Sequence, residues 1–193
     1  MGVRLQEGRP ATRADLEALP KHVKGEIIDG VLYTSPRPRP LHARGELALG
    51  ADLLNAYQRG RGGPGGWWIL VEPGIEVPGS PELSPDVAGW RRERLIELPT
   101  DPITVVRDWI GEFLSPSTRH LDQRVKRPFY ARIGVGCLWF VDLDGRTLTV
   151  SKLVEGRWVE LAVHGADERV RAEPFEAAEL DLREWWGAGE KEG

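Results

Sequence analysis

A chain of 193 residues and 21.6 kDa is long enough to bury a sizeable core as one domain spanning 1–193, and 40% hydrophobic with 29% charged residues is a globular mixture, not a disordered or fibrous one. The single cysteine, Cys137, excludes an internal disulfide and any multi-cysteine zinc site. No apolar run approaches the roughly 18 residues of a membrane span, so a soluble, cytoplasmic protein is expected, and the net charge of −4 argues against one that coats nucleic acid electrostatically.

Residues 12–19 read as a short helix, with Thr12 as N-cap, Asp15 three positions on in a capping-box spacing, and Pro20 as the stop. Glu26-Ile27-Ile28 and Val31-Leu32-Tyr33 are apolar runs joined by Asp29-Gly30, the dipeptide that supplies two positive-φ positions to a tight hairpin. Pro36, Pro38 and Pro40 remove three donors from the next segment, which predicts an extended connector, neither helix nor central strand, made cationic by Arg37 and Arg39. Over 41–57, Leu47, Leu49, Leu53, Leu54 and Tyr57 recur at roughly helical spacing, and 59–66, with five glycines, reads as a flexible loop. The stretches 67–77, 86–90 and 104–114 are β-prone.

A helix over 117–133 follows, capped by Ser117 or Thr118 and stopped by Gly134. Residues 137–143 form a nearly continuous apolar run, the pattern of a strand covered on both faces, in which Cys137 is a small core residue. Asp144-Gly145 and Glu155-Gly156 then turn the chain into two further strands. Strand, long helix and buried strand imply a crossover and a parallel pair, extended by antiparallel hairpins. The fold class is α/β: a mixed sheet with a helical N-terminal layer.

Three acids stand where acids are costly. Glu26 opens an apolar run, Asp86 starts the short strand Val87-Ala88-Gly89-Trp90, and Glu112 lies within Trp109-Ile110-Gly111-Glu112-Phe113-Leu114. A carboxylate among buried neighbours must be paired, protonated or bound to metal. On neighbouring strands, Asp86 and Glu112 can converge on a hard cation such as magnesium. Asp122, Lys126 and Tyr130 are spaced by four and share one helix face, which either aims Lys126 at the acids or forms an ion pair on a solvated surface. Two carboxylates, a metal and a lysine are what phosphodiester hydrolysis requires.

The ordered series Glu26-Ile27-Ile28-Asp29-Gly30, His42, Pro85-Asp86-Val87, Glu112-Phe113-Leu114-Ser115-Pro116-Ser117-Thr118, Asp122, Lys126, Tyr130 and Trp139-Phe140-Val141-Asp142 resembles the Uma-type restriction endonuclease family, a domain of unknown function. The resemblance covers about residues 12–186. It implies the restriction-endonuclease-like PD-(D/E)XK fold, a mixed β-sheet flanked by helices, here with an N-terminal helix and hairpin layer. It also implies Asp86 and Glu112 as magnesium ligands and catalytic acids, Lys126 as the catalytic lysine displaced from the usual position at Leu114, and Glu26 as a further catalytic-site acid. His42, Arg44 and Tyr130 are the candidate substrate contacts. The sequence departs from the family at Cys137-Leu138, where Glu-Tyr is usual, and Pro128 is expected to kink the lysine-bearing helix.

The function expected on this reading is magnesium-dependent hydrolysis of nucleic acid, with DNA as the partner. Local arginines, among them Arg37, Arg39, Arg59, Arg61, Arg91 and Arg92, can meet phosphates even though the whole chain is acidic. The alternative is a catalytically silent domain that acts as a homo-oligomer. Trp185-Trp186, which are not expected both to face inward on a short helix, would leave one ring for a contact patch.

Overall fold

The computed structural model of the chain describes residues 3–5 and 9–187. A short strand β1 (Val3–Leu5) precedes α1 (Arg13–Glu17), whose start is the capping box read from the sequence: the Thr12 N–H donates to Asp15 Oδ2 at 2.7 Å. β2 (Val23–Ile28) and β3 (Val31–Pro36) form the hairpin, with Asp29 and Gly30 at φ 52° and 72°. The connector differs from expectation at both ends. β3 is an interior strand, flanked by β1 and β2, and Pro36 closes it opposite Val23, where the ladder ends and no donor is needed. Pro40 opens α2 (Pro40–Leu53), because the first turn of a helix has no use for its missing N–H.

α2 runs into a wider π-turn, Leu54–Gln58, and the glycine loop after it is pinned to this turn: Arg61 N–H donates to Asn55 O and Gly65 N–H to Ala56 O. Leu49, Leu53 and Tyr57 are buried, whereas Leu47 is 68% exposed, on the solvent side of the helix. The run 67–77 divides into β4 (Trp67–Val71) and β5 (Ile75–Val77), broken where Glu72 turns at φ 45° ahead of Pro73. β6 (Ser80–Leu83), absent from the sequence reading, pairs with β2 and β5. β7 (Val87–Arg91) is followed by an irregular stretch, and only Trp109–Leu114 of the expected 104–114 is strand, β8.

The helix over 117–133 is α3 (Arg119–Leu121), a π-turn (Asp122–Lys126) and α4 (Arg127–Ile133), stopped by Gly134 in the left-handed region at φ 83°. β9 (Cys137–Asp142), β10 (Thr147–Val154) and β11 (Arg157–His164) follow, then the small pair β12 (Arg169–Val170) and β13 (Leu180–Asp181).

Two sheets result. The six-stranded one has the order β11-β10-β9-β8-β7-β4; β8 and β9 are its parallel pair, as the crossover requires. The five-stranded one, β1-β3-β2-β6-β5, is the N-terminal hairpin layer grown into a sheet of its own. Side chains alternate along β8, so Trp109 and Phe113 enter a core with α2 and the C-terminal segment, while Ile110 and Leu114 enter a second core with Phe129 and residues of the smaller sheet. Trp185 and Trp186 are both buried, against expectation. Their ring N–H groups reach Asp52 Oδ2 at 2.9 Å and the Ala166 carbonyl at 2.6 Å, so neither is left for a contact patch.

Candidate functional site

Val87 pairs with Gly111 across β7 and β8, so Asp86, one residue before, and Glu112, one residue beyond, are neighbours at the end of that ladder. The Phe113 N–H donates to Asp86 Oδ2 at 2.8 Å and fixes the carboxylate there. α2 crosses the same end of β8 closely because Gly45 has no side chain: a Cβ would lie 2.7 Å from the Phe113 ring. One turn of helix therefore delivers two groups to Asp86. His42 Nε2 is 3.3 Å from Asp86 Oδ2 and 2.8 Å from Glu46 Oε1. From β2, Lys24 Nζ lies 3.5 Å from Asp86 Oδ1 and 2.9 Å from Glu72 Oε1.

A second cluster surrounds Lys126. Its Nζ is 2.8 Å from Glu112 Oε1, 3.4 Å from Glu26 Oε2 and 3.6 Å from Asp122 Oδ1, and all four residues are buried. Glu26 Oε1 also accepts the Ser84 N–H at 3.0 Å, and the Tyr130 hydroxyl donates to Glu112 Oε1. Pro128 is accommodated where the helix divides: the Arg127 N–H reaches back five residues to Asp122 O, and Pro128 falls in the first turn of α4, where a missing N–H costs nothing. The face shared by Asp122, Lys126 and Tyr130 is thus buried, not solvated.

Burial sets the protonation of these groups, and charge modifies it. Desolvation opposes a charged Asp86, but His42 and Lys24 outweigh it and hold the carboxyl well below the usual range. Burial likewise opposes charge on His42, yet its contacts with Asp86 and Glu46 keep it protonated up to about 10. Desolvation pushes Glu112 up to about 8 and Asp122 up to about 6, because the single Lys126 ammonium cannot neutralise all the acids around it. Lys126, also opposed by burial, is held protonated by Glu112 and Glu26.

The raised Glu112 value makes the fold pH-sensitive. A group with a higher pKa folded than unfolded stabilises the fold fully below its unfolded value and loses that contribution as pH rises through its folded one. For Glu112 the window runs from 4.5 to about 8, and stability falls across it by at most about 1.4 kcal/mol per pH unit. His42 has the same sign between 6.5 and about 10. Urea unfolding of Glu112→Gln between pH 5 and 8 is therefore expected to show a flatter slope than the parent, and an identical slope would contradict the assignment.

These groups meet at a cavity of about 470 Å3 whose lining includes Lys24, Glu26, His42, Asp86, Asp122 and Lys126, with Leu114 on its wall at the usual lysine position. Glu112 lies behind this lining, with Oε1 engaged by Lys126 and Tyr130. Among the described residues, one group of donors comes close enough to hold a metal ion, His42, Glu46 and Asp86, whose ligand atoms lie within 4.8 Å of one another. Two candidate substrate contacts are not among the residues that line the cavity: Arg44 donates to the Glu184 carbonyl at 3.0 Å, and Tyr130 is fully buried with its hydroxyl on Glu112 Oε1.

Sequence reasoning missed Glu46, Lys24 and Arg107. The His42/Glu46 spacing of four was the available signal for the first. Arg107, fully buried in the stretch expected to be strand, lies 5.5 Å over the Tyr130 ring, and its charge faces Glu112 and Glu26.

No helix among the described residues is long and apolar enough to cross a membrane. No curated protein matches the sequence. The fold is similar to a crystal structure from Anabaena variabilis described as a putative nuclease belonging to DUF820, with a TM-score of 0.69 and 18% identity over 92% of this chain and 98% of that one. A family model, Uma2, described as "Putative restriction endonuclease", matches residues 13–183. With nearly the whole chain matched, and with the mixed sheet and buried acids in place, the protein belongs to the Uma2 family.

Proposed function

We propose that the protein is a metal-dependent nuclease that hydrolyses phosphodiester bonds, of DNA in the first instance, at the cavity floored by Asp86 and Lys126. The observation that carries this reading is the meeting of two charge clusters at Asp86: the donor group with His42 and Glu46 on one side, and Lys126 among Glu26, Glu112 and Asp122 on the other.

The donor chemistry fits a divalent cation. Glu112 Oε2 is a buried oxygen without a hydrogen-bond donor among the described residues, and a carboxylate so placed favours a positive partner. Asp86 would hold the ion, with Glu112 as its strand neighbour or with Glu46 and His42 from the helix, the imidazole releasing the proton that the two acids otherwise keep on it. An all-carboxylate set suits magnesium, and a set with imidazole suits manganese or zinc better. When bound, the ion supplies charge to the phosphate and lowers the pKa of the attacking water.

The chain's own residues supply the rest. Lys126, kept as an ammonium by three acids, presents a fixed positive charge at the cavity wall, suited to a phosphate oxygen or to orienting a water. Lys24 adds a second ammonium beside Asp86. Glu112, pushed up to about 8 by burial, is able to hold a proton near neutrality. The test is a cleavage assay on duplex DNA, single-stranded DNA and RNA with magnesium, manganese or chelator. Cleavage that requires a metal and stops on chelation supports the reading. Cleavage that persists in chelator, or none with any of these metals and substrates, overturns it.

A further inference from the structure

The segment Ser115-Pro116-Ser117-Thr118 belongs to the motif series of the sequence, yet apart from the Thr118 hydroxyl, which bonds the Asp122 carboxyl, the acid and lysine clusters leave it without a task. It leaves β8 two residues after Phe113 and lines the mouth of the same cavity. Its three hydroxyls are drawn together: Ser115 Oγ lies 3.0 Å from Ser117 Oγ and 2.9 Å from Thr118 Oγ1, and the Thr118 N–H donates to Ser115 Oγ at 3.2 Å. The connector between β3 and α2 lines this cavity too, through Arg37 and Arg39. Both arginines are exposed, and among the described residues neither forms the kind of carboxylate pair that Arg94 makes with Asp108 and Arg119 with Asp142; Arg37 Nε donates to the Lys21 carbonyl at 3.3 Å. Prolines Pro36, Pro38 and Pro40 separate and flank these two side chains and hold the connector extended without backbone pairing of its own.

The cavity is therefore polarised. Its buried carboxylates gather at the floor, around Asp86, where Lys24, His42 and Lys126 pair with them, while its mouth carries two guanidinium groups without acid partners and a knot of hydroxyls, with Asp144 as the exposed carboxylate of the lining. A cation suits the floor and an anion suits the mouth. Guanidinium groups bind phosphate through charge-assisted, bidentate hydrogen bonds, and hydroxyl donors complete such contacts without sequence readout.

We infer that Arg37 and Arg39, with the hydroxyls of Ser117 and Thr118, form a phosphate subsite that holds the nucleic-acid backbone at a phosphate next to the one at the floor. This rests on the nuclease reading and deepens it by naming where the uncleaved backbone is gripped. It also accounts for a substrate-binding role without Arg44, which the structure turns toward Glu184. Contacts of this kind discriminate little between bases, so the subsite predicts weak sequence preference.

The test measures binding apart from cleavage. A fluorescent single-stranded oligonucleotide is titrated with the full chain in chelator by anisotropy, at several salt concentrations, using the parent, R37A/R39A, S117A/T118V and, as a control outside the cavity, R157A. R37A/R39A is expected to bind at least about tenfold more weakly and to lower the salt slope by about 1.4, two phosphate contacts at about 0.7 each on a single strand. S117A/T118V is expected to weaken binding several-fold with the slope unchanged, and R157A to bind like the parent. Competition with inorganic phosphate separates sources: displacement of the oligonucleotide only at far higher concentration supports a backbone subsite, whereas micromolar displacement identifies a free-phosphate site and overturns it. Equal affinity and slope for R37A/R39A and parent overturn the subsite, as does a parent that binds no oligonucleotide. Cleavage assays keep the two claims apart: binding lost in R37A/R39A by a parent that never cleaves leaves the subsite standing without the nuclease, and a cleaving parent with unaltered R37A/R39A binding does the reverse.

Discussion

Replacing Lys126 by Met is expected to destabilise the fold by about 3–5 kcal/mol at pH 8, the range found when one partner of a buried charge cluster is removed. Lys126 Nζ faces Glu112, Glu26 and Asp122 at 2.8, 3.4 and 3.6 Å, and methionine fills the volume without supplying charge. The three acids then repel one another in a dry environment, and their remaining recourse is to take up protons. The deficit should therefore shrink as pH falls through the values to which burial already pushes Glu112, about 8, and Asp122, about 6. Urea unfolding at pH 8 and 5.5 checks this. A deficit below 1 kcal/mol at pH 8, or one that does not shrink in acid, would show that the cluster is not coupled as its distances imply.

On the nuclease reading, Asp86→Asn is expected to lower metal-dependent cleavage by at least about a hundredfold, more than the 10- to 100-fold typical of losing a residue that merely supports a ligand. The amide is nearly the same shape and keeps an oxygen for the Phe113 N–H. It removes the charge that, with Glu46, holds His42 protonated, so the His42 titration should move down from about 10. Proton NMR of the imidazole gives a readout independent of activity. Retained cleavage sinks the catalytic role, whereas an unmoved titration sinks the electrostatic link to His42 alone.

The parts of this molecule that announced themselves in the sequence did so by contrast with their surroundings. Glu112 between Gly111 and Phe113 is an acid in a fully buried strand, and the continuous apolar run from Cys137 demands a sheet covered on both faces. The parallel pairing of β8 with β9 followed from connection length alone. What stayed hidden depends on close approach. His42 and Glu46 look like an ordinary surface ion pair until Gly45 lets α2 settle on Phe113. β6 carries Pro81 and a glutamate in four residues, too little apolar signal to read as strand, and it is a strand because β2 and β5 offer it partners. Arg44 and Arg37 are alike as residues, and the fold places one toward the C-terminal segment and the other at the cavity mouth.

The wide turn at Asp122–Lys126 has a bearing on how this chain can change over evolutionary time. Each residue of an α-helix advances the chain by about 100° around its axis. The turn carries one residue more than a regular helix would, and that extra residue sets Lys126 against Glu112 while letting Pro128 begin α4. Solvent-facing Gln123 and Arg124 are open to many replacements. A deletion of either would restore the ordinary helical count and rotate the ammonium away from the acids. Lineages of this protein should therefore drift freely in residue type here and be rigid in length, with alignment gaps at this turn marking copies in which the ammonium no longer meets the acids.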